Sequence, residues 1–164
     1  MEDYLFHLSK KSKTMKKITV IAFFCLSLVF AANAQDKAIG LRLGAGTAQG
    51  GEVSFQMNKG DANRLELDLG LISNNNYSGV AITGMYQWVW DLKELGDGFK
   101  WYAAPGVGLR LFNGLGLGIH GQVGIEYSFD EIPLQLSLDT RPGWYFGGVS
   151  GIDGGAALSV RYLF

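Results

Sequence analysis

Residues 65–71 read LELDLGL. Leu65, Leu67, Leu69 and Leu71 recur at every second position and Glu66, Asp68 and Gly70 fill the gaps. A period of two is the repeat of an extended strand with one apolar and one polar face, and it excludes a helix here. The same alternation extends in both directions. Before it, Ile39, Leu41 and Leu43 alternate with Gly40, Arg42 and Gly44, and Val53, Phe55 and Met57 with Glu52, Ser54 and Gln56. After it come Val80, Ile82, Tyr86, Trp88 and Trp90 on one parity. Next are Trp101, Ala103, Val107, Leu109 and Leu111, and then Leu117, Ile119, Val123, Ile125 and Tyr127. Leu134, Leu136 and Leu138, and finally Leu158, Val160, Tyr162 and Phe164, complete eight segments.

Turn clusters separate them at Thr47 to Gly50, Asn58 to Ala62, Ser73 to Gly79, Lys93 to Gly98, Asn113 to Gly114, Asp130 to Pro133 and Gly147 to Gly154. The spacing leaves roughly 10 residues per strand, the length that a tilted membrane-crossing strand needs. Glycine supplies 24 of 164 residues, against a usual share of about 7%. With 48% apolar and 18% charged residues the chain is neither disordered nor a basic nucleic-acid binder. An even number of antiparallel strands can close into a barrel and leave no unpaired edge. Pro105 interrupts the fifth segment, and its missing N–H predicts a bulge there.

Alternation alone does not say which face points inward. A soluble lipocalin-like barrel turns its apolar face in, and a membrane barrel turns it out. Arg42, Arg110, Arg141 and Arg161 all fall on the polar parity, together with Glu52, Glu66, Asp68, Glu126 and Asp139. Each arginine facing the middle of a bilayer would cost about 2–4 kcal/mol, so this face must avoid lipid. Arginine with matching carboxylates suits a crowded interior of bidentate pairs. His120 shares that parity, and these ten residues are the expected interior network. Tyr86, Trp88, Trp90, Trp101, Tyr127, Phe129, Tyr162 and Phe164, with Phe55 and Phe99, gather at one rim, as in a membrane-interface girdle. Trp144, Tyr145 and Phe146 are expected at the opposite rim.

The first residues carry an address. From Met15 to Ala34 the chain has two lysines, an apolar run from Ile18 to Phe30 and the small-residue end Ala32-Asn33-Ala34, the three regions of a secretory signal peptide. Residues 15–34 are therefore expected to be cleaved, residues 1–14 to be an extension or a mis-called start, and residues 35–164 to form the barrel. The lone Cys25 lies inside the apolar run, away from the cleavage point that a lipoprotein would require. After position 34 there are nine basic and thirteen acidic residues.

The chain ends Val160-Arg161-Tyr162-Leu163-Phe164. This resembles the terminal recognition strand of bacterial outer-membrane barrels. The mature chain resembles the small eight-stranded barrels of the OmpX/OmpA type, and segments such as Gly124-Ile125-Glu126-Tyr127 and Pro133 to Asp139 resemble small outer-membrane barrel proteins of Bacteroidetes. The resemblance implies an all-β, eight-stranded antiparallel up-and-down transmembrane β-barrel in the cell outer membrane of a Gram-negative cell. Its implied partners are outer-membrane lipid, lipopolysaccharide and the barrel assembly machinery. It identifies an architecture and no activity.

The favoured function is accordingly a structural or surface-interaction role for a monomer whose interior is filled, with no open pore and no cofactor. Two alternatives stand beside it. His120, the one histidine after position 34, shares its parity with Ser137, Ser159 and Glu126, a set from which a barrel hydrolase acting on lipid A or peptides could be built. A soluble periplasmic ligand-binding barrel is the other. A metal site lacks a second His or Cys, and Gly44-Ala45-Gly46 with Gly50 is not followed by the helix a dinucleotide fingerprint needs. Surface recognition, if present, falls to Asn74, Asn75, Asn76 and Tyr77 in an outer loop.

Overall fold

A computed structural model describes residues 37–45, 51–73, 78–111, 114–148 and 150–164. The expected signal peptide and the Asn74 to Tyr77 loop tip lie outside the described residues. The described strands are β1 (Lys37–Gly44), β2 (Glu52–Asn58), β3 (Asn63–Ser73), β4 (Ser78–Asp91), β5 (Phe99–Leu111), β6 (Leu115–Ser128), β7 (Leu134–Thr140), β8 (Gly143–Gly147), β9 (Gly151–Asp153) and β10 (Ala156–Leu163). All pairings are antiparallel. Sequence neighbours pair from β1 to β6, β6 pairs with both β7 and β8, and β10 returns to β1, so the sheet closes on itself.

Ten segments make eight staves. Val123 faces Thr140 and His120 faces Gly143, so β7 and β8 run in one register along β6, interrupted only at Arg141-Pro142. Thr140 faces Ala156 and Gly143 faces Asp153, so β9 and β10 are likewise one stave. The interruption follows from Pro142, which has no N–H to donate. Its carbonyl still accepts from Gly121 N at 2.9 Å, and Arg141 N donates to Gly155 O at 3.2 Å.

Two expectations need correcting. No bulge forms at Pro105: Met85 faces Gly106 and Trp88 faces Ala103 in an unbroken register, so no residue has been inserted. Only the two intervening pairings with β4 are lost, while on the other side Pro105 faces Gly121 in an intact ladder with β6. Proline's fixed φ suits extended backbone, so the missing donor is accommodated without a shift of parity. The last turn is also shorter than Gly147 to Gly154. Residues 151–153 form β9, a three-residue strand too short and glycine-flanked to show periodicity.

The barrel is polar inside and apolar outside. Along β3 and β6 burial alternates residue by residue, with Glu66, Asp68, His120, Gln122 and Glu126 buried and Leu65, Leu67, Leu69, Leu117, Ile119 and Val123 exposed. A soluble barrel would show the reverse. The high glycine content has a packing reason on the inner wall. A Cβ on Gly118 would lie 2.8 Å from Cε1 of Tyr145, and one on Gly124 would collide with the Tyr102 ring and come within 2.8 Å of Asp139 Cβ. Inward aromatic rings therefore lie over inward glycines on neighbouring staves. On the outer wall a Cβ at Gly84 or Gly121 meets nothing within 4 Å. Gly124→Val is expected to cost roughly 1–3 kcal/mol through overpacking, and Gly84→Ala less than about 0.5 kcal/mol. Urea unfolding in mixed lipid–detergent micelles checks both.

Candidate functional site: the charged barrel interior

Inward positions on adjacent staves face one another across a narrow lumen, so every charged side chain there must find its partner among the others. An unpaired buried charge would be strongly destabilising. Arg42 on β1 grips Asp139 on β7 with two hydrogen bonds, Nη2 to Oδ1 at 2.6 Å and Nε to Oδ2 at 3.2 Å, and gives its third donor to Glu52 Oε2 at 3.0 Å. Arg141, placed by the β7–β8 interruption and 2% exposed, donates to Glu52 Oε2 at 3.2 Å, to Glu66 Oε1 at 3.0 Å and to Asp68. Arg161 on β10 donates to Glu66 Oε2 at 2.9 Å and to the hydroxyls of Ser54 at 3.0 Å and Ser137 at 2.8 Å.

Glu66 is the hub. Besides Arg141 and Arg161 it accepts from Gln56 at 2.6 Å, Gln87 at 3.0 Å and Gln122 at 3.0 Å. Five donors on one carboxylate exceed its roughly four lone-pair sites, so this group is fixed from every side. Gln87 extends the network toward the rim where the termini meet. It also bonds Gln122 at 2.8 Å and accepts from Arg64, which holds both oxygens of Glu126, one at 2.9 Å. Arg64 lies over the Tyr102 ring, 5.0 Å from its centroid, and the Tyr102 hydroxyl reaches Asp139 at 3.4 Å.

Eight of the ten expected interior residues thus join one connected network: Arg42, Glu52, Glu66, Asp68, Glu126, Asp139, Arg141 and Arg161. The other two, Arg110 and His120, stand apart in a second cluster toward the opposite end. There Arg110 pairs with Asp153 and lies 4.2 Å from the centroid of the Tyr145 ring, which meets His120 edge-on at 5.1 Å. Tyr145 is 1% exposed and points inward, so it is not a rim aromatic, whereas its neighbours Trp144 and Phe146 are exposed. The parity of the stave decides this: Trp144 and Phe146 lie outward, and Tyr145 between them must lie inward.

Arg64 went unrecognised in the sequence, although it shares the parity of Glu66 and Asp68. It lies two positions after the turn residues 58–62 and so looks like a strand end. Gln56, Gln87 and Gln122 carry no charge signature that would single them out. The aromatics expected at that rim meet in small groups: Trp90 stacks on Trp101 at 4.4 Å, Tyr86 meets Trp88 at 5.4 Å, Tyr127 contacts both Phe99 and Phe129, and Tyr162 stacks with Phe164 at 6.4 Å. The hydrolase constellation is not assembled. Ser137 accepts from Arg161, Glu126 is held by Arg64, and neither His120 nitrogen makes a hydrogen bond within the described residues. Among the described residues no group of three or more His, Cys, Asp or Glu is arranged to hold a metal ion.

This architecture has a solved counterpart. The structure of Neisserial surface protein A (NspA) is similar over 81% of this chain and the whole of that chain, with a TM-score of 0.62 at 13% identity. The likeness is one of fold. The chain is an eight-stranded β-barrel matching NspA in architecture. No protein-family model matches the sequence, and no curated protein matches it.

Proposed function

We propose that residues 35–164 form an integral outer-membrane β-barrel with a structural or surface-interaction role, exported by a signal peptide at residues 15–34. The observation that carries this reading is the inversion of the barrel, with leucines, isoleucines and valines outside and guanidinium–carboxylate pairs inside. Water on that outer wall would be unfavourable at about 25 cal/mol per Å² of apolar surface, and acyl chains remove the penalty. The likeness to a bacterial surface protein supports the location. In this reading Tyr86, Trp88, Trp90, Trp101, Tyr127, Phe129, Tyr162 and Phe164 fix depth at the periplasmic interface. The terminal strand engages the assembly machinery, and Asn74, Asn75, Asn76 and Tyr77 are assigned to surface partners such as lipopolysaccharide sugars.

The interior network acts as a plug. It cross-links β1, β2, β3, β4, β5, β6, β7 and β10 by side-chain hydrogen bonds, and so locks the staves at fixed separation. Planar-bilayer recordings are expected to show no conductance steps. Electrophoresis with and without boiling tests the assignment. A closed membrane barrel keeps a compact, fast-migrating form in detergent until heated, and fractionation should place it in detergent-extractable membrane. Recovery in the soluble periplasm would overturn the assignment. His120→Ala should leave lipid A acylation and peptide cleavage profiles unchanged, because the imidazole packs on Tyr145 and activates no hydroxyl. A changed product profile would revive the enzyme reading.

A further inference from the structure

The lumen is not filled to its ends. Beyond the network, on the side where the first and last strands end, it opens into a cup of about 550 Å³, within the size range of small-ligand sites. Its floor is the Arg64–Glu126 pair, whose charges cancel and which is tied back to Glu66 through Gln87. Three features surround the end of β6. On one side Lys100 on β5 shares the inward parity of Tyr102 and faces Glu126, and on the other Gln135 on β7 faces Ser128. The turn that leaves β6 carries Asp130 and Glu131. Glu126 is committed to Arg64, and Lys100, although it also faces the exposed Asp91, holds no ion pair among the described residues. Gln135 is 3% exposed, and its Oε1 is buried without a hydrogen-bond partner among the described residues. A buried acceptor lacking a donor is unfavourable, and a ligand that brings an N–H recovers the loss. The rim as a whole is net negative, and within the cup the charge is sorted: Lys100 stands on the inner wall, while Asp61, Asp130 and Glu131 outnumber Lys37 at the lip.

We infer that this cup binds a short peptide, carboxylate inward. Its terminal carboxylate meets Lys100, a backbone N–H donates to Gln135 Oε1, and its ammonium group is held by the lip carboxylates. Other small solutes each lack one of these matches. A simple anion is repelled at the lip, and a simple amine is repelled by Lys100. A sugar brings hydroxyl donors but no charge for either the lysine or the carboxylates. A free amino acid carries both charges on one carbon and has no amide N–H to offer Gln135. Charge-assisted hydrogen bonds at the two ends of the peptide fix its direction. The cup is set by the closure of the sheet, so it does not depend on what surrounds the outer wall. The membrane reading adds only that the cup opens to the periplasm.

The test is a chemical-shift titration of the folded protein in detergent micelles with trialanine, followed at the Gln135 side-chain amide and the Ser128 backbone amide. Trialaninamide and N-acetyl-trialanine, each missing one charge, should bind about tenfold more weakly, and glucose should cause no shift. Lys100→Met should lower trialanine affinity about tenfold and abolish the preference over trialaninamide. Gln135→Leu should weaken trialanine and trialaninamide alike. Lys100 holds no ion pair and Gln135 Oε1 no hydrogen bond among the described residues, so both variants are expected to fold, and heat-dependent migration checks this. Ile152→Ser, 82% exposed near the opposite end, should behave as the wild type. No shift with millimolar trialanine, equal binding of trialanine and either blocked peptide, or undiminished binding by folded Lys100→Met and Gln135→Leu would each overturn the peptide site and leave the membrane reading intact. Should neither variant fold, the comparison of the three peptides on the wild type decides. Recovery of the protein in the soluble periplasm would overturn the membrane reading and leave the peptide site standing.

Discussion

Arg141→Met is expected to be the most damaging single interior substitution, lowering stability by about 3–5 kcal/mol, the range for stranding buried charge. The guanidinium is the common donor to Glu52, Glu66 and Asp68, and methionine leaves three carboxylates crowded in a sealed lumen with one cation fewer. Against a total of roughly 5–15 kcal/mol, such a loss is visible as a collapse of the fast-migrating band. A shift in urea midpoint in lipid–detergent micelles gives its size. Adding Asp68→Asn should recover part of it, because the pair are direct neighbours and their effects do not add independently. Arg110→Met provides the contrast. Its ion pair with Asp153 has side chains 16% and 15% exposed, and its loss strands one carboxylate instead of three, so a smaller loss is expected. Equal losses for Arg141 and Arg110 would contradict the distinction between the sealed network and the outer cluster.

Leu69→Arg should be the most damaging exterior substitution, and it reports orientation directly. Leu69 lies about half-way along β3, 49% exposed, facing Val53 and Ile82 on the neighbouring staves. If acyl chains surround it, an arginine there costs about 2–4 kcal/mol, whereas the same change at the rim costs about 0–1 kcal/mol. Leu95→Arg, in the exposed turn between β4 and β5, is the matched control. Folding into bilayers of defined composition, followed by denaturant titration, measures both. A cost at Leu69 no greater than at Leu95 would show that the outer wall meets water.

The strand count, the closure and the orientation were legible before any coordinates because each rests on a repeat of two. Leu65 to Leu71 shows apolar and acidic residues on strictly opposite faces, and arginines on the acidic face leave only one way to turn the sheet. That logic also placed Arg42, Glu66, Asp139 and Arg161 inside. It fails where a segment is too short to repeat. Residues 151–153 look like loop, yet they bring Asp153 against Arg110, and Arg64 looks like the edge of a turn, yet it closes the network on Glu126.

By itself, then, the sequence determined a period, a sign for each face and an even number of staves, since those are properties of consecutive residues. Only the tertiary structure decided which carboxylate each guanidinium meets. Arg141 and Glu66 lie 75 positions apart, and their meeting depends on the closure and register of the whole sheet. Closure likewise set His120 beside Tyr145 rather than Ser137, because lateral neighbours in a barrel are fixed by strand stagger and not by spacing along the chain.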